Sequence, residues 1–364
     1  MKNILKAIVV LFSVVAFSSA NAGTLEVTGT AKATYVIGGS DSLTAQNNEG
    51  KGLGITNELA FTGTGELDNG WTWKYQVELD DTTTSTFTAT DDTRLELTTP
   101  YGTIAAYNTE GSLSTKYGFS AAAYGAGTDN GNGGNIQYGT AIDSYNNLQY
   151  HTPAGLLPFG ISGKVAYSPS SDKGKNSGNS AGAENAATDG SSVAQYQVSA
   201  SPIAGLTVAA SYLDKDGESG VRGYEQGGAY AKYTMGSVTV GYGEHYVQNN
   251  GSSASMTTGT DVSTAALAAT VKSFENKMMS IGFAVNDNLS VSYENEKSDA
   301  QKRTVVATNR AHTKVNVELD VTTLQAAYTM GGMTLSVSQK DIENADYVLN
   351  KDEKETLFAV SMAF

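Results

Sequence analysis

Cysteine is absent from the 364-residue sequence, and proline occurs only five times. Without cysteine the chain has no disulfide, no thiol nucleophile and no cysteine-ligated metal site. Charged residues make up only 16% of the chain. Beyond the N-terminal segment, no stretch approaches the roughly 20 apolar residues that a membrane-spanning helix needs. The sequence therefore predicts neither a disulfide framework nor a helical membrane anchor.

The first 22 residues have the features of a secretory signal. Lys2 and Lys6 precede an apolar run that ends near a small-residue cleavage site at Ala22. We therefore predict an exported mature chain, residues 23–364, that forms a single domain. Removing the signal changes the formal net charge from −14 to −16. This acidic balance argues against a nucleic-acid partner, because phosphate contacts require clustered Lys or Arg.

The sequence is rich in glycine and tyrosine, and it contains stretches in which apolar and polar residues alternate. There are 40 glycines and 20 tyrosines. Between Trp71 and Leu79, aromatic or aliphatic residues take every odd position and polar residues every even one. This two-residue period is typical of a β-strand with one apolar and one polar face. Read in this way, the chain contains about sixteen strands joined by alternating tight and long connections. We predict an all-β fold, a transmembrane antiparallel β-barrel with short periplasmic turns and long extracellular loops.

The last ten residues support a closed barrel. Phe358, Val360, Met362 and Phe364 share one apolar face. An exposed strand of this kind invites aggregation, whereas pairing with the first strand removes the free edge and turns the apolar face to lipid. We therefore predict that Phe358 and Phe364 act in barrel closure and assembly.

Most predicted strands carry aromatic residues on their apolar face near a strand end, as expected for interfacial girdles. The aromatic residues are Tyr35, Tyr150, Phe159, Tyr167, Tyr212, Tyr233, Tyr242, Phe283, Tyr293, Tyr328, Phe358 and Phe364. One stretch departs from the pattern. The alternation in residues 315–329 changes parity midway, which predicts a β-bulge near Thr322 and Thr323.

Several short motifs, in this order, resemble the general diffusion porins of Gram-negative outer membranes. They are Thr99-Pro-Tyr-Gly-Thr103, Leu148-Gln-Tyr-His-Thr-Pro153, Tyr328-Thr-Met-Gly-Gly-Met-Thr-Leu335 and Phe364. The resemblance implies a homotrimer of sixteen-stranded barrels in outer-membrane lipid, each passing small hydrophilic solutes. It also implies that the third outer loop, here residues 109–143, folds inward to narrow the pore.

Charged residues on this layout predict a constriction. Three basic residues point inward by strand parity: Lys32, Lys74 and Arg94. Three acidic residues lie on the predicted inward loop: Glu110, Asp129 and Asp143. A basic wall facing an acidic loop would set a field across the pore, as the resemblance implies. The net negative charge and further glutamates on the inward parity favour a weak preference for cations.

Other chemistry has little support in the sequence. Asp214, Asp216 and Glu218 alternate in a predicted outer loop and are weak candidates for Ca²⁺ ligands, although such a run is more often a solvated turn. No cofactor is predicted. The three histidines fall at strand ends and do not converge with a serine and a carboxylate, so we predict no enzyme activity. Two alternatives stay open, namely a substrate-selective outer-membrane channel and a non-conducting adhesin or structural barrel.

Overall fold

The computed structural model describes most of the mature chain. The described residues are 23–40, 50–80, 90–169, 191–217, 223–248, 271–302 and 317–364. The predicted signal segment, residues 1–22, lies outside them. Sixteen strands follow one another in chain order. Their bounds are β1 Thr24–Ser40, β2 Gly50–Glu66, β3 Thr72–Asp80, β4 Thr90–Thr99, β5 Gly102–Asn108, β6 Asn147–His151, β7 Ser162–Ser168, β8 Val193–Ala200, β9 Leu206–Lys215, β10 Tyr224–Met235, β11 Val238–Gln248, β12 Val271–Ala284, β13 Leu289–Lys302, β14 Val317–Met330, β15 Met333–Glu343 and β16 Glu353–Ala363.

Each strand pairs antiparallel with its neighbours in sequence, and β1 pairs with β16, so that the sheet closes into a barrel. At the seam, Gly29 and Phe364 exchange two backbone hydrogen bonds of 2.9 and 3.0 Å. The register then runs from the pair Thr30 and Ala363 to the pair Ser40 and Glu353. The predicted sixteen-stranded antiparallel barrel, closed by its last strand, is confirmed.

Within the described residues, helical structure is limited to four 3-10 helices of three residues each. They span Gly127–Asp129, Ile142–Ser144, Pro158–Gly160 and Ala345–Tyr347. No helix in the described part of the chain has the length and apolarity needed to cross a bilayer.

The outer surface of the barrel carries the predicted apolar side chains. Tyr35, Tyr242, Phe283, Tyr328 and Phe358 are all exposed. Rings on the barrel exterior have no protein neighbour to bury them, which suits contact with lipid. The apolar parity read from the sequence is therefore the outward parity of the strands.

The predicted bulge in β14 is wrong. The strand pairs with β13 and β15 without a register shift between Val317 and Tyr328. Val317, Leu319 and Val321 instead point inward and are at most 6% exposed. They form a buried cluster with Ile342 and other residues, so the upper interior of this wall is apolar. The apparent change of parity reflects a protein-covered interior rather than a break in the strand.

Candidate functional site

The segment between β5 and β6, residues 109–146, lies inside the barrel against inward-facing side chains; we call it the inner loop. Its outgoing leg meets β8 where the Gln197 amide donates to the carbonyl of Leu113 (3.1 Å). It reaches β12 where the N–H of Ala121 donates to Ser280 Oγ (2.8 Å). The loop therefore follows one wall of the barrel across several strands.

Two buried carboxylates on β13 hold the middle of the inner loop. Glu294 accepts a hydrogen bond from the N–H of Gly127 (2.8 Å). Glu296 accepts from the N–H and the hydroxyl of Thr128 (3.0 and 2.7 Å) and from the hydroxyl of Tyr138. Both glutamates are 1% exposed. Since buried carboxylates are costly without hydrogen bonds, these contacts specify where the loop lies.

The far end of the inner loop is held by a second polar group. Glu355 accepts a hydrogen bond from the N–H of Asn132 (2.9 Å) and forms an ion pair with Lys340 (3.0 Å). Lys340 also donates to the carbonyl of Asn130. From β1, Lys32 donates to Asn130 Oδ1 (2.9 Å). The loop thus spans the barrel interior as far as the closing strands.

Two glycines allow the inner loop to approach the wall closely. A Cβ atom at Gly282 would lie 2.7 Å from the carbonyl oxygen of Ala121, and one at Gly241 would overlap the carbonyl of Phe119. The Phe119 side chain is fully buried. Because only glycine leaves room for such backbone contact, this part of the loop rests directly on the sheet.

The opposite wall stays open to solvent. Inward side chains on β12 and β13, such as Asn276 and Ser298, are buried beneath the inner loop. On β2, by contrast, inward Thr56 is exposed and Glu58 is partly exposed. Water therefore has access between the inner loop and the β1–β4 wall, while the β12–β14 wall is covered.

The structure brings three of the predicted site residues together. Arg94 Nη1 lies 3.0 Å from Glu110 Oε1, and Arg94 Nε lies 3.7 Å from Glu96 Oε1. Lys74 is directly opposite Glu96 in the register of β3 and β4, and its charge acts on Glu110. All of these side chains are partly exposed. The basic wall and the acidic loop meet here in one direct ion pair, Arg94 with Glu110, and the two charges partly neutralise each other.

The remaining predicted site residues are placed elsewhere around the lumen. Lys32 does not belong to the group around Arg94. It contacts Asn130 at the far end of the inner loop. Asp129 is exposed and interacts electrostatically with Tyr117. Asp143 lines a cavity of about 390 Å³ that Arg94 also lines. The six predicted residues therefore border one lumen without forming a single cluster.

Comparison with known proteins identifies the family. A sequence model of the Gram-negative porin family matches residues 7–308, most of the chain. The chain belongs to the Gram-negative porin family. Together with the closed barrel, this makes it an outer-membrane porin that forms a channel for diffusion. The search of curated proteins finds no match to this porin.

Solved structures share the fold of this porin at low sequence identity. The trimer form of OmpT from Vibrio cholerae superposes with a TM-score of 0.62 at 12% identity, covering 94% of this chain and 100% of OmpT. OmpF of Salmonella typhi, in complex with daunomycin, gives 0.60 at 13% identity over 94% and 98% of the two chains. The anion-selective porin of Comamonas acidovorans gives 0.61 at 10% identity over 94% and 100%.

Sequence reasoning missed the residues that hold the inner loop. Glu294, Glu296, Lys340 and Glu355 all lie on the inward parity of their strands. Their inward parity was the only sign in the sequence that they could contact the inner loop. Inward charges in a porin are, however, expected to be hydrated. Only the course of the inner loop shows that these four are buried.

Two of the three weak Ca²⁺ candidates lie within the described residues. Asp214 lies on the exposed outer side of β9, and Asp216 accepts a hydrogen bond from the Ser192 hydroxyl. Glu218 lies outside the described residues. Within the described ranges, no three acidic or histidine side chains are arranged to hold a metal ion.

Glu110 predicts a pH-dependent selectivity. Burial raises the pKa of its carboxyl, and Arg94 offsets this shift only in part. As the pH falls towards the ordinary pKa of glutamate, Glu110 should gain its proton before an ordinary exposed glutamate does. The lumen then loses a negative charge, and the reversal potential in a salt gradient should move towards anions. Glu110→Gln should lose this part of the pH dependence, and an unchanged pH profile in that variant would contradict the assignment.

Proposed function

We propose that this porin is a passive pore for ions and small hydrophilic solutes. Solutes pass between the inner loop and the β1–β4 wall, and are sorted by size and by the charges around Arg94 and Glu110. The observation that carries the proposal is the contrast between the two walls. Inward side chains are buried along most of β12–β14, whereas most of those on β1 and β2 are solvent-accessible, although Ala60 of β2 is buried.

The polar character of the open wall favours general diffusion over a substrate-selective route. Selective facilitation would require an aromatic track or a binding cluster along the passage. The inward residues on the open side include Thr56, Glu58, Lys74, Arg94 and Glu96, which suit hydrated solutes. A non-conducting adhesin has no comparable support, because it would not need a wet lumen beside the inner loop.

A liposome-swelling series tests the proposal. Vesicles that contain the purified protein should swell in sugars of small size and stop swelling above a size cutoff. Empty vesicles and vesicles with heat-denatured protein serve as controls. If the vesicles swell in no sugar, the proposal of a diffusion pore is contradicted. If they swell in one sugar alone, a substrate-selective channel is favoured instead.

We also propose a weak cation preference, supported by the glutamates along the open wall and by the net negative chain. The reversal potential in a salt gradient reports its sign directly. A reversal potential of the sign expected for anion selectivity would overturn the proposal. The structurally similar porin of Comamonas acidovorans is described as anion-selective.

The family and the fold indicate a channel rather than an enzyme, and we propose that the chain has no catalytic role. The His151 ring is 2.8 Å from Gln149 Oε1, and His245 packs edge-on against the ring of Tyr138. Neither ring hydrogen-bonds a carboxylate within the described part of the chain. His312 lies outside the described residues.

We also propose that the porin forms a homotrimer. The support is the part of the barrel wall around β6, which we call the low sector because its strand is short. β6 has five residues, Asn147–His151. At about 3.3 Å per residue it is some 17 Å long, shorter than the roughly 25 Å apolar band of an outer-membrane barrel. A neighbouring copy would cover this sector, and OmpT of Vibrio cholerae has a trimer form.

Cysteine cross-linking locates the contact between copies, since the native chain has no cysteine. Leu95→Cys on β4, beside the low sector, should form cross-linked oligomers with a short bifunctional thiol reagent. Ile281→Cys, on the outer face of the taller β12, is the matched control. Both native side chains are about half exposed. Equal cross-linking of the two variants, or none in either, would count against this interface.

A role in closure and assembly for Phe358 and Phe364 is likewise a proposal. Phe358 lies opposite Tyr35 of β1, with their ring centroids 6.5 Å apart, and Phe364 bonds Gly29 through its backbone. These contacts support a part for both residues in sealing the barrel.

A further inference from the structure

The connection between β15 and β16, residues 344–352, folds over the turning point of the inner loop; we call it the outer strap. The N–H of Asp346 donates to the carbonyl of Gly134 (2.9 Å). The Asn135 amide donates to the Asp346 carboxylate. Gly134 and Asn135 lie where the inner loop reverses direction, so the strap holds the loop at its tip.

Tyr347 supplies the central contact of the outer strap. Its hydroxyl accepts a hydrogen bond from the N–H of Gln137 (3.0 Å) and lies 2.6 Å from Ser298 Oγ of β13. Its ring packs against Phe274 of β12, with centroids 5.1 Å apart, and the residue is 3% exposed. One side chain thus ties the inner loop, the strap and the barrel wall together.

The outer strap is a defined structure in its own right. The N–H of Ala345 donates to the carbonyl of Lys351 (2.8 Å). Lys351 forms ion pairs with Asp346 and with Glu353 Oε1 (3.1 Å for the latter). Tyr347 has a left-handed backbone, with φ of 58°, which is uncommon for a residue with a bulky side chain. Such conformations persist where the surroundings impose them, and they cluster at functional segments.

The opposite side of the outer strap faces away from the inner loop. Leu349 is 53% exposed and Asn350 is also exposed. A segment of a few residues therefore has one surface on solvent and the other on the element that narrows the pore. Displacement of the strap would remove these contacts from the tip of the inner loop without disturbing the strand pairing of the barrel.

We propose that Asp346 and Tyr347 are positioning residues of the pore. They hold the inner loop from outside its own sequence, and they thereby limit the fluctuations of the loop and set the width of the passage. The inference rests on the proposed pore function and extends it to a segment that lies outside the inner loop's own sequence. Because the strap contacts the loop tip, the effect reaches the passage through residues 132–138. That stretch follows closely on Asn130, which Lys32 and Lys340 bind at the far end of the loop.

Tyr347→Phe tests the inference with a minimal change. The variant keeps the ring and loses the hydroxyl that bonds Gln137 and Ser298. Release of the loop tip should become roughly fivefold more frequent, which is the effect on an equilibrium of losing one buried hydrogen bond, here the bond to Gln137 of the loop. The expected readout in a planar bilayer is more open-channel current noise with a shifted mean conductance. Heat-modifiable migration on gels and the thermal unfolding midpoint report whether the barrel itself is intact.

Tyr246→Phe is the matched control, because it removes a hydroxyl from an exposed tyrosine on the outer face of β11. It should behave as the wild type does. Asp346→Asn gives a second measurement, since it keeps the backbone bond to Gly134 and weakens the contacts with Asn135 and Lys351; it too should raise the noise. The inference is overturned if neither variant differs from Tyr246→Phe. A wild-type protein that never conducts would instead remove the proposed pore function.

Discussion

Excision of the inner part of the inner loop should raise the single-channel conductance at least about twofold, because an unplugged sixteen-stranded barrel encloses an open aqueous channel. The structure suggests where to cut. The Thr115 hydroxyl donates to the Gly228 carbonyl of β10, and the Thr140 carbonyl accepts from Gln226 of the same strand. Residues 116–139 therefore begin and end over one strand, and a short Gly-Ser linker can replace them.

The excision keeps the contacts at the base of the loop. Leu113, Ile142 and Tyr145 stay in place and pack with Val193 and Leu213 in a buried cluster. The freed carboxylates on β13 become hydrated, so the barrel is expected to remain folded. A deletion of similar length within residues 170–190 is the control and should keep the wild-type step size. Equal conductance in the excised and wild-type proteins would show that the inner loop does not limit the passage.

Reversal of one lumen charge should shift ion selectivity strongly. Lys74→Glu places a carboxylate beside Glu96 and near Glu110, where Lys74 forms no ion pair within the described part of the chain. At about 5 Å in water a unit charge is worth roughly 0.8 kcal/mol, and the reversal changes the charge by two units. With screening by salt, the cation-to-anion permeability ratio should rise roughly three- to tenfold.

The matched control reverses a lysine outside the lumen. Lys354 lies on the outward face of β16, with its side chain 60% exposed and 3.6 Å from Asp341. Lys354→Glu makes the same change in net charge but should leave the reversal potential close to that of the wild type. If both variants shift the reversal potential equally, selectivity follows the overall charge of the protein and not the lumen.

Much of the fold could be predicted from sequence, because alternate residues of a membrane-barrel strand face the lipid and the lumen. The strand number, the closure of β16 on β1 and the outward aromatics all followed from that period. The exception was β14, where Val317, Leu319 and Val321 are apolar yet point inward. Alternation reports polarity, and it cannot tell lipid from a protein-covered interior.

The candidate site was predicted less completely. Arg94 and Glu110 form an ion pair because both flank the start of the inner loop in sequence and register. Lys32 and Glu294 meet the loop through contacts between residues far apart in the chain. Such contacts depend on the course of a loop with no regular period, which sequence patterns do not encode. For the same reason the outer strap and Tyr347 gave no signal before the structure.

Thiol labelling tests most directly the central claim that the passage runs between the inner loop and the β1–β4 wall. Thr56 faces inward on the open side, and Ser280 faces inward beneath the loop at 6% exposure. In the cysteine-free chain, Thr56→Cys should react rapidly with a charged thiol reagent during recording, and the current should change. Ser280→Cys should stay unmodified. Rapid modification at Ser280→Cys together with an inert Thr56→Cys would contradict the account.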